Sequence, residues 1–239
     1  MEIRLNKFLA ERLGLSRREA DDAIADGRVK VDGEVATLGA RVSEQNKVVF
    51  DGQLVKFEKD YTYLLFNKPI DYVCSRKKQG EADTIYSLLP EKYHSLKTVG
   101  RLDKDSSGLI LLTDDGDFAY KMTHPSFKKY KVYVVALDQS LSPLHQQMIA
   151  DFGVDLPDGK SRLMLSHLDS GEVFEEAKSF STPPVERKIW QVEMSEGRNR
   201  QIRRTFAALG YRVVFLKRVQ FDNFTLDDLR PGQFREIRL

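Results

Sequence analysis

The chain has 239 residues, 41% hydrophobic and 31% charged, which suits one large domain or a small module joined to a larger one. No apolar run approaches the roughly 20 residues of a membrane helix, and Met-Glu-Ile-Arg-Leu-Asn-Lys is no signal-peptide start, so the expectation is a cytoplasmic protein with no membrane partner. One cysteine, Cys74, excludes an internal disulfide and a cysteine-rich zinc site, while His94, His124, His145 and His167 are scattered, so no metal and no cofactor is expected. Cys74, in the apolar stretch Tyr72-Val73-Cys74, reads as a buried thiol and not as a nucleophile.

Net charge is only +2, but its distribution is uneven. Residues 195–218 hold Arg198, Arg200, Arg203, Arg204, Arg212, Lys217 and Arg218 against Glu196 alone, which suits a polyanion or a solvated helix face.

Residues 1–58 form the first expected unit. Leu5, Phe8, Leu9 and Leu13 share a helical face, and Gly14 is placed to end that helix. Ser16 and Glu19 make a capping box for a second helix, which Gly27 closes. Arg17 and Arg18 fall in its first turn, against the helix dipole, as if an anion were expected there. Val29 and Val31 lead into Asp32-Gly33, and Val48 to Phe50 into Asp51-Gly52, both hairpin signals. The runs R-L-N-K-F-L-A, G-L-S-R-R-E-A and G-R-V-K-V-D-G resemble the alpha-L RNA-binding domain, a helix–helix–hairpin module. Because residues 1–58 carry 10 basic and 11 acidic side chains, RNA binding would need one segregated face: Arg4, Lys7, Arg17, Arg18, Arg28 and Lys30.

A mixed-charge linker is expected around Phe57 to Tyr61, and a second domain over residues 61–239. Strands are predicted at Tyr63 to Phe66, Leu109 to Thr113, Lys131 to Leu137 and Ile189 to Met194. Helices are predicted near Phe118 to Thr123, Pro143 to Phe152 and Arg200 to Leu209. Strands predominate without strict alternation, which gives an α+β class with a mainly antiparallel, mixed sheet.

Four segments carry chemistry. In V-G-R-L-D-K-D-S-S-G-L-I-L-L-T-D-D-G-D (residues 99–117), Asp103 follows Arg101 in a loop braced by an apolar strand, a fitting support for a site group, although an Asp before Gly is usually a turn former. In N-K-P-I-D-Y-V-C-S, Lys68 would project from a turn because Pro69 cannot continue a central strand. In K-K-Y-K-V-Y-V, Tyr130 stands at a strand mouth. In E-G-R-N-R-Q-I-R-R-T-F-A-A-L-G, Ile202, Phe206 and Leu209 form a buried stripe, while Arg200, Arg203 and Arg204 crowd the helix opening.

Together these segments resemble the pseudouridine synthases of the ribosomal small-subunit type. The family pattern G-R-L-D-x-x-[ST]-x-G-L-[LI]-L-L-T-x-D-G matches residues 100–116, and G-R-x-x-Q-[IV]-[RK]-[RH] matches Gly197 to Arg204. Asp71 stands where the family usually has glycine, and aspartate tolerates a left-handed turn. The resemblance implies isomerisation of a ribosomal RNA uridine, in the small subunit, on a flipped-out nucleotide. It makes Asp103 the catalytic carboxylate, Arg203 the cation beside it and Tyr130 the residue packed on the base. Lys68, Arg101, Arg198, Arg200 and Arg204 are expected to bind RNA. The implied partner is ribosomal RNA or a ribosome assembly intermediate, and the implied state a monomer. The rival expectation is a non-enzymatic assembly factor. A phosphate-binding loop at Gly153 and D-G-K-S (158–161) is rejected, because five residues separate Gly153 from Gly159 where the motif requires four.

Overall fold

The computed structural model describes residues 2–57, 60–78, 80–180 and 187–239. Lys59 and Glu58, in the expected linker, lie outside the described residues. The chain divides into two compact units, Met1–Thr62 with Thr113–Gly116, and Tyr63–Leu112 with Asp117–Leu239. Among the described residues no helix is long and apolar enough to cross a membrane.

The first unit contains β1 (Ile3–Arg4), α1 (Leu5–Leu13), α2 (Arg17–Ala25), β2 (Val29–Val31), β3 (Glu34–Val35), β4 (Arg41–Val42), β5 (Val48–Phe50) and β6 (Gln53–Val55). Leu5, Phe8 and Leu9 of α1 pack on Ala20, Ala23 and Ile24 of α2, while Leu13, expected on that face, is exposed. Ser16 and Glu19 close the capping box in both directions, at 3.2 and 2.6 Å. Asp32 and Gly33, and again Asp51 and Gly52, all have positive φ, the requirement of the tight hairpin turn, and they join β2 to β3 and β5 to β6. Arg4, Arg17, Arg18 and Lys30 are exposed. Lys7 is half-buried beside Glu11, at 3.8 Å. Arg28 is also engaged, forked onto Asp51 and stacked 4.9 Å from the Phe50 ring, so part of its charge is already matched.

The second unit runs through β7 (Tyr63–Lys68), β8 (Lys97–Val99), β9 (Ser107–Thr113), α3 (Gly116–Thr123), β10 (Lys131–Leu137), α4 (Pro143–Gln147), β11 (Val154–Leu156), β12 (Gly159–Ser161), β13 (Met164–His167), α5 (Glu172–Lys178), β14 (Ile189–Met194), α6 (Gln201–Ala207), β15 (Val213–Phe221), β16 (Phe224–Thr225) and β17 (Phe234–Ile237). Nine of these strands among the described residues form one sheet, ordered β13-β14-β10-β15-β9-β7-β17, with β16 on β15 and β8 on β9. β15 pairs antiparallel with β10 but parallel with β9. β9 is buried along its whole length. Ile110 and Leu112 face one core with Val135, Val192, Ile202 and Phe206, while Leu109 and Leu111 face another with Val99, Met122 and Phe221. An uninterrupted apolar strand is what a sheet covered on both faces requires.

The crossing of β9 with β15 is unusually close. Gly108 has φ +103°, and a Cβ there would stand 2.2 Å from the Arg218 carbonyl oxygen. Only glycine satisfies both the backbone conformation and the spacing.

Candidate active site

Asp103 lies in the loop between β8 and β9, which is tied down from several directions. Ser106 N–H donates to the Asp103 carbonyl at 3.1 Å, and Asp71 N–H donates to the Lys104 carbonyl at 2.8 Å. Asp71 adopts φ 70°, so the aspartate in the family's glycine position holds the left-handed turn expected of it. Cys74 and Leu102 exchange a pair of long contacts, Sγ to the carbonyl at 3.4 Å and N–H to Sγ at 3.5 Å. Burial pushes the half-buried Cys74 thiol above its ordinary pKa, so it is a structural thiol and not a thiolate nucleophile.

Lys68 corrects an expectation. β7 runs through it, Pro69 falling just past the ladder, and the side chain is fully buried. Its Nζ donates to the carbonyls of Ser106 at 2.7 Å and Pro69 at 2.9 Å, with Lys104 at 3.5 Å. It is therefore a brace beneath the Asp103 loop and not an RNA contact. Burial drives its ammonium down to about 8, against smaller opposing effects of Cys74, Asp105, Asp71 and Asp103.

The cations above the loop also differ from expectation. Arg200 caps the N-terminus of α6 in a left-handed conformation, φ 46°. Its Nη1 stands 3.4 Å from Asp103 Oδ2, and it forks onto Asp105 at 3.0 and 2.8 Å. Arg203, expected to ion-pair with Asp103, instead donates to the carbonyls of Asp105 at 2.6 Å and Val213 at 2.9 Å and to Ser106 Oγ at 3.3 Å. Its Nε lies 3.3 Å from Asp105 Oδ2. Asp103 acts on Arg203 only as a neighbouring charge. The reason is local: the left-handed cap turns Arg200 toward Asp103, while Arg203 is a half-buried strut between the loop and β15. Burial alone would raise the Asp105 carboxyl, but the Arg200 hydrogen bonds and the charges of Arg203 and Arg200 hold it below the ordinary value.

Asp103 opens into a cavity of about 950 Å³ within the second unit, whose wall carries nine basic and three acidic side chains. Arg101, exposed, lines it as an RNA contact would require. So does Tyr133, buried on the β10 face that also carries Lys131. Tyr130, expected against the base, is on the other face of β10 in a smaller recess with Gln191 and Glu193. Its hydroxyl donates to Glu193 Oε2, which, with some burial, pushes it up to about 12. Alternation along a strand turns residues 130 and 133 to opposite faces. That same period-two rule, applied to K-Y-K-V-Y, would have grouped Tyr133 with Lys131.

Arg198 and Arg204 are clamps. Arg198 donates to the carbonyls of Asp158, Gly159 and Lys160 at 3.1, 2.9 and 2.9 Å and pairs with Glu196 at 3.0 Å. Arg204 pairs with Asp158 at 2.7 Å. Both hold the hairpin of β11 and β12 beside the cavity, so their expected role as free phosphate contacts is not what the geometry gives. The D-G-K-S segment lies in that hairpin, with no phosphate-binding loop.

The family described as RNA pseudouridylate synthase matches residues 62–208, and the S4 domain matches residues 3–48. Ribosomal small subunit pseudouridine synthase A of Yersinia pestis is 36% identical over 237 residues, covering 98% of this chain and 94% of its own. The protein of the same name from Escherichia coli (strain K12) is 35% identical over 237 residues, covering 98% and 96%. The chain belongs to the RNA pseudouridylate synthases. A solved pseudouridylate synthase also superposes on this synthase with a TM-score of 0.66 at 32% identity, covering 99% of this chain and 96% of its own. The enzyme is thus an isomerase with an S4 RNA-binding domain followed by its synthase domain.

Proposed function

We propose that the synthase converts a uridine of small-subunit ribosomal RNA to pseudouridine, with Asp103 as the catalytic carboxylate and the target nucleotide turned out into the cavity it shares with Tyr133. One observation carries this reading: a half-exposed carboxylate faces a large basic cavity, on a loop braced from below by a fully buried lysine and from above by a half-buried arginine. A site group held by locked supports is what catalytic positioning needs.

Asp103 acts ionised on the sugar of the turned-out uridine. The base leaves its nitrogen–carbon bond, rotates and rejoins through ring carbon five, whose proton is released. No group is gained or lost besides that exchange of a carbon-bound for a nitrogen-bound hydrogen. Arg200, at 3.4 Å, supplies the nearest positive charge. Tyr133 offers a ring for the base, and base–aromatic stacking is worth roughly 1–3 kcal/mol. Turning a nucleotide out of its stack costs a few kcal/mol. Contacts between RNA phosphates and the basic wall, Arg101 among them, offset that cost. Arg4, Arg17, Arg18 and Lys30 supply exposed charge for RNA in the S4 domain. On this reading the enzyme is a cytoplasmic monomer whose partner is ribosomal RNA or an assembly intermediate. A pure assembly factor would need the basic surfaces but not the braced carboxylate.

The test is tritium release from transcripts labelled at uridine ring carbon five. Wild type should release label from small-subunit and not large-subunit ribosomal RNA. Asp103→Asn should release none while melting and binding RNA as wild type does. Turnover near normal in Asp103→Asn would overturn the role of Asp103, and release from large-subunit RNA alone would overturn the substrate.

A further inference from the structure

Deep in the same cavity, β10 and β15 hold two cations against one ring. Arg218 is 3% exposed and lies 4.7 Å from the Phe221 ring centroid, with Lys131 Nζ 5.3 Å from it. Arg218 Nε donates to the Leu109 carbonyl at 2.7 Å, but its buried Nη2 has no hydrogen-bond partner. Lys131 Nζ donates to the carbonyls of Lys129 at 2.9 Å and Glu196 at 3.1 Å. The nearby carboxylates are engaged elsewhere, Asp222 by Lys129 and Glu196 by Arg198. Neither Lys131 nor Arg218 has an ion pair among the described residues. Gly197 lies against this amine without covering it, since a Cβ there would stand in van der Waals contact with Lys131 Nζ, at 3.8 Å.

Two desolvated like charges without a counter-ion are a poor arrangement for stability alone. Burial, and then the charge of Arg218, lowers the Lys131 ammonium to about 8, with Asp222 acting weakly in the other direction. The arrangement becomes favourable once an anion arrives. Uracil and ribose are neutral, so the anion that a turned-out nucleotide brings with it is its phosphodiester. We infer that Lys131, with Arg218 adding its charge, binds a backbone phosphate of the turned-out nucleotide and so seats the substrate at Asp103. The inference rests on the proposed RNA-modifying function and adds to it the anchor point for the substrate backbone.

The probe is transcribed small-subunit ribosomal RNA, its affinity measured against salt and pH for wild type, Lys131→Gln and Lys131→Arg. Lys131→Gln should bind roughly tenfold more weakly, the usual scale for losing one charge-assisted hydrogen bond, and its salt dependence should fall by about one counterion. Wild-type affinity should drop as pH rises through 8, where Lys131 loses its proton, while Lys131→Arg should hold its affinity to pH 9.5. Arg218, Asp222, Lys129 and Glu196 face Lys131 in wild type and in Lys131→Arg alike, so the difference between these two proteins isolates residue 131. An unchanged salt slope in Lys131→Gln, or the same pH profile in wild type and Lys131→Arg, would overturn the phosphate contact. A merely structural lysine would lower the melting temperature without moving that slope. Tritium release is read on the same RNA, bare and in an assembly intermediate: a wild type inactive on both refutes the proposed function, whereas an active wild type with an unaltered Lys131→Gln refutes the phosphate anchor alone.

Discussion

Replacing Lys68 by methionine sets two large effects against each other, and pH separates them. The ammonium satisfies the carbonyls of Ser106 and Pro69 at 2.7 and 2.9 Å, and stranding each buried acceptor costs about 1–3 kcal/mol. Opposing this, the folded protein holds the charge in a buried position, which lowers the pKa from 10.5 to about 8. At about 1.4 kcal/mol per pKa unit, relieving that burden is worth at most about 3 kcal/mol. Near pH 7 the two effects largely offset, and Lys68→Met should differ from wild type by no more than about 3 kcal/mol. The folded pKa lies below the unfolded one, so between about 8 and 10.5 the unfolded chain binds more protons and wild type gains stability as pH rises. A neutral amine still donates to both carbonyls, so nothing is lost in exchange. The stability difference, wild type minus Lys68→Met, should therefore grow from pH 7.5 to pH 10. Urea unfolding of both proteins at half-unit intervals measures it, and groups common to both cancel. A difference that stays flat or shrinks over that range would refute the account of Lys68 as a buried, charge-burdened brace.

Gly108→Ala should destabilise the protein by about 3 kcal/mol or more, because a Cβ 2.2 Å from the Arg218 carbonyl adds a clash to an unfavourable φ, and a urea-measured loss below 1 kcal/mol would count against the close crossing. Arg200→Ala should slow single-turnover isomerisation with less than about 1 kcal/mol of stability lost, since its ion pairs are half-exposed. Arg203→Ala should lose both rate and stability, because the carbonyls of Asp105 and Val213 lose their donor. Tyr133→Leu should slow the saturated reaction roughly tenfold or more, as loss of a base-stacking ring does. Tyr130→Ala should stay near wild type, and the opposite order in single-turnover assays would return the base-packing role to Tyr130.

Local signals were readable from the residues themselves. Capping by Ser16 and Glu19, the two Asp-Gly turns, the left-handed Asp71 and the apolar run of β9 each depend on neighbours within a few positions, and each is found where the pattern puts it. The core pair Ile202 and Phe206 is likewise set by helical spacing, while Leu209 falls just past α6 and is only partly buried. β15 was hidden because Lys217 and Arg218 interrupt its apolar pattern and read as part of a basic cluster. Both are nonetheless buried, Lys217 against Glu176 and Arg218 over Phe221. Lys68 misled for a related reason: a lysine before proline looks like a turn, and only the carbonyls brought to it from residues 104 and 106 make its burial tolerable. That Arg200 and not Arg203 stands beside Asp103 depends on one left-handed residue that no spacing rule specifies. Long-range partners, not residue types, decided each of these positions.

The parallel pairing of β9 with β15 joins Ser107 to Lys217 and Gly108 to Arg218, so the strand that follows the Asp103 loop waits for a partner made about 110 residues later. Such distant pairings form slowly, because loop closure precedes any gain from contact. A nascent chain that stops before Val213 would leave β9, apolar on both faces, as an unpaired edge open to association with other chains. The helices and hairpins of the first 62 residues need no such wait, since their contacts are short in sequence. RNA-binding capacity can therefore emerge during translation well before isomerase activity does, and truncated products of this gene would be expected to aggregate through β9 before they could compete for substrate.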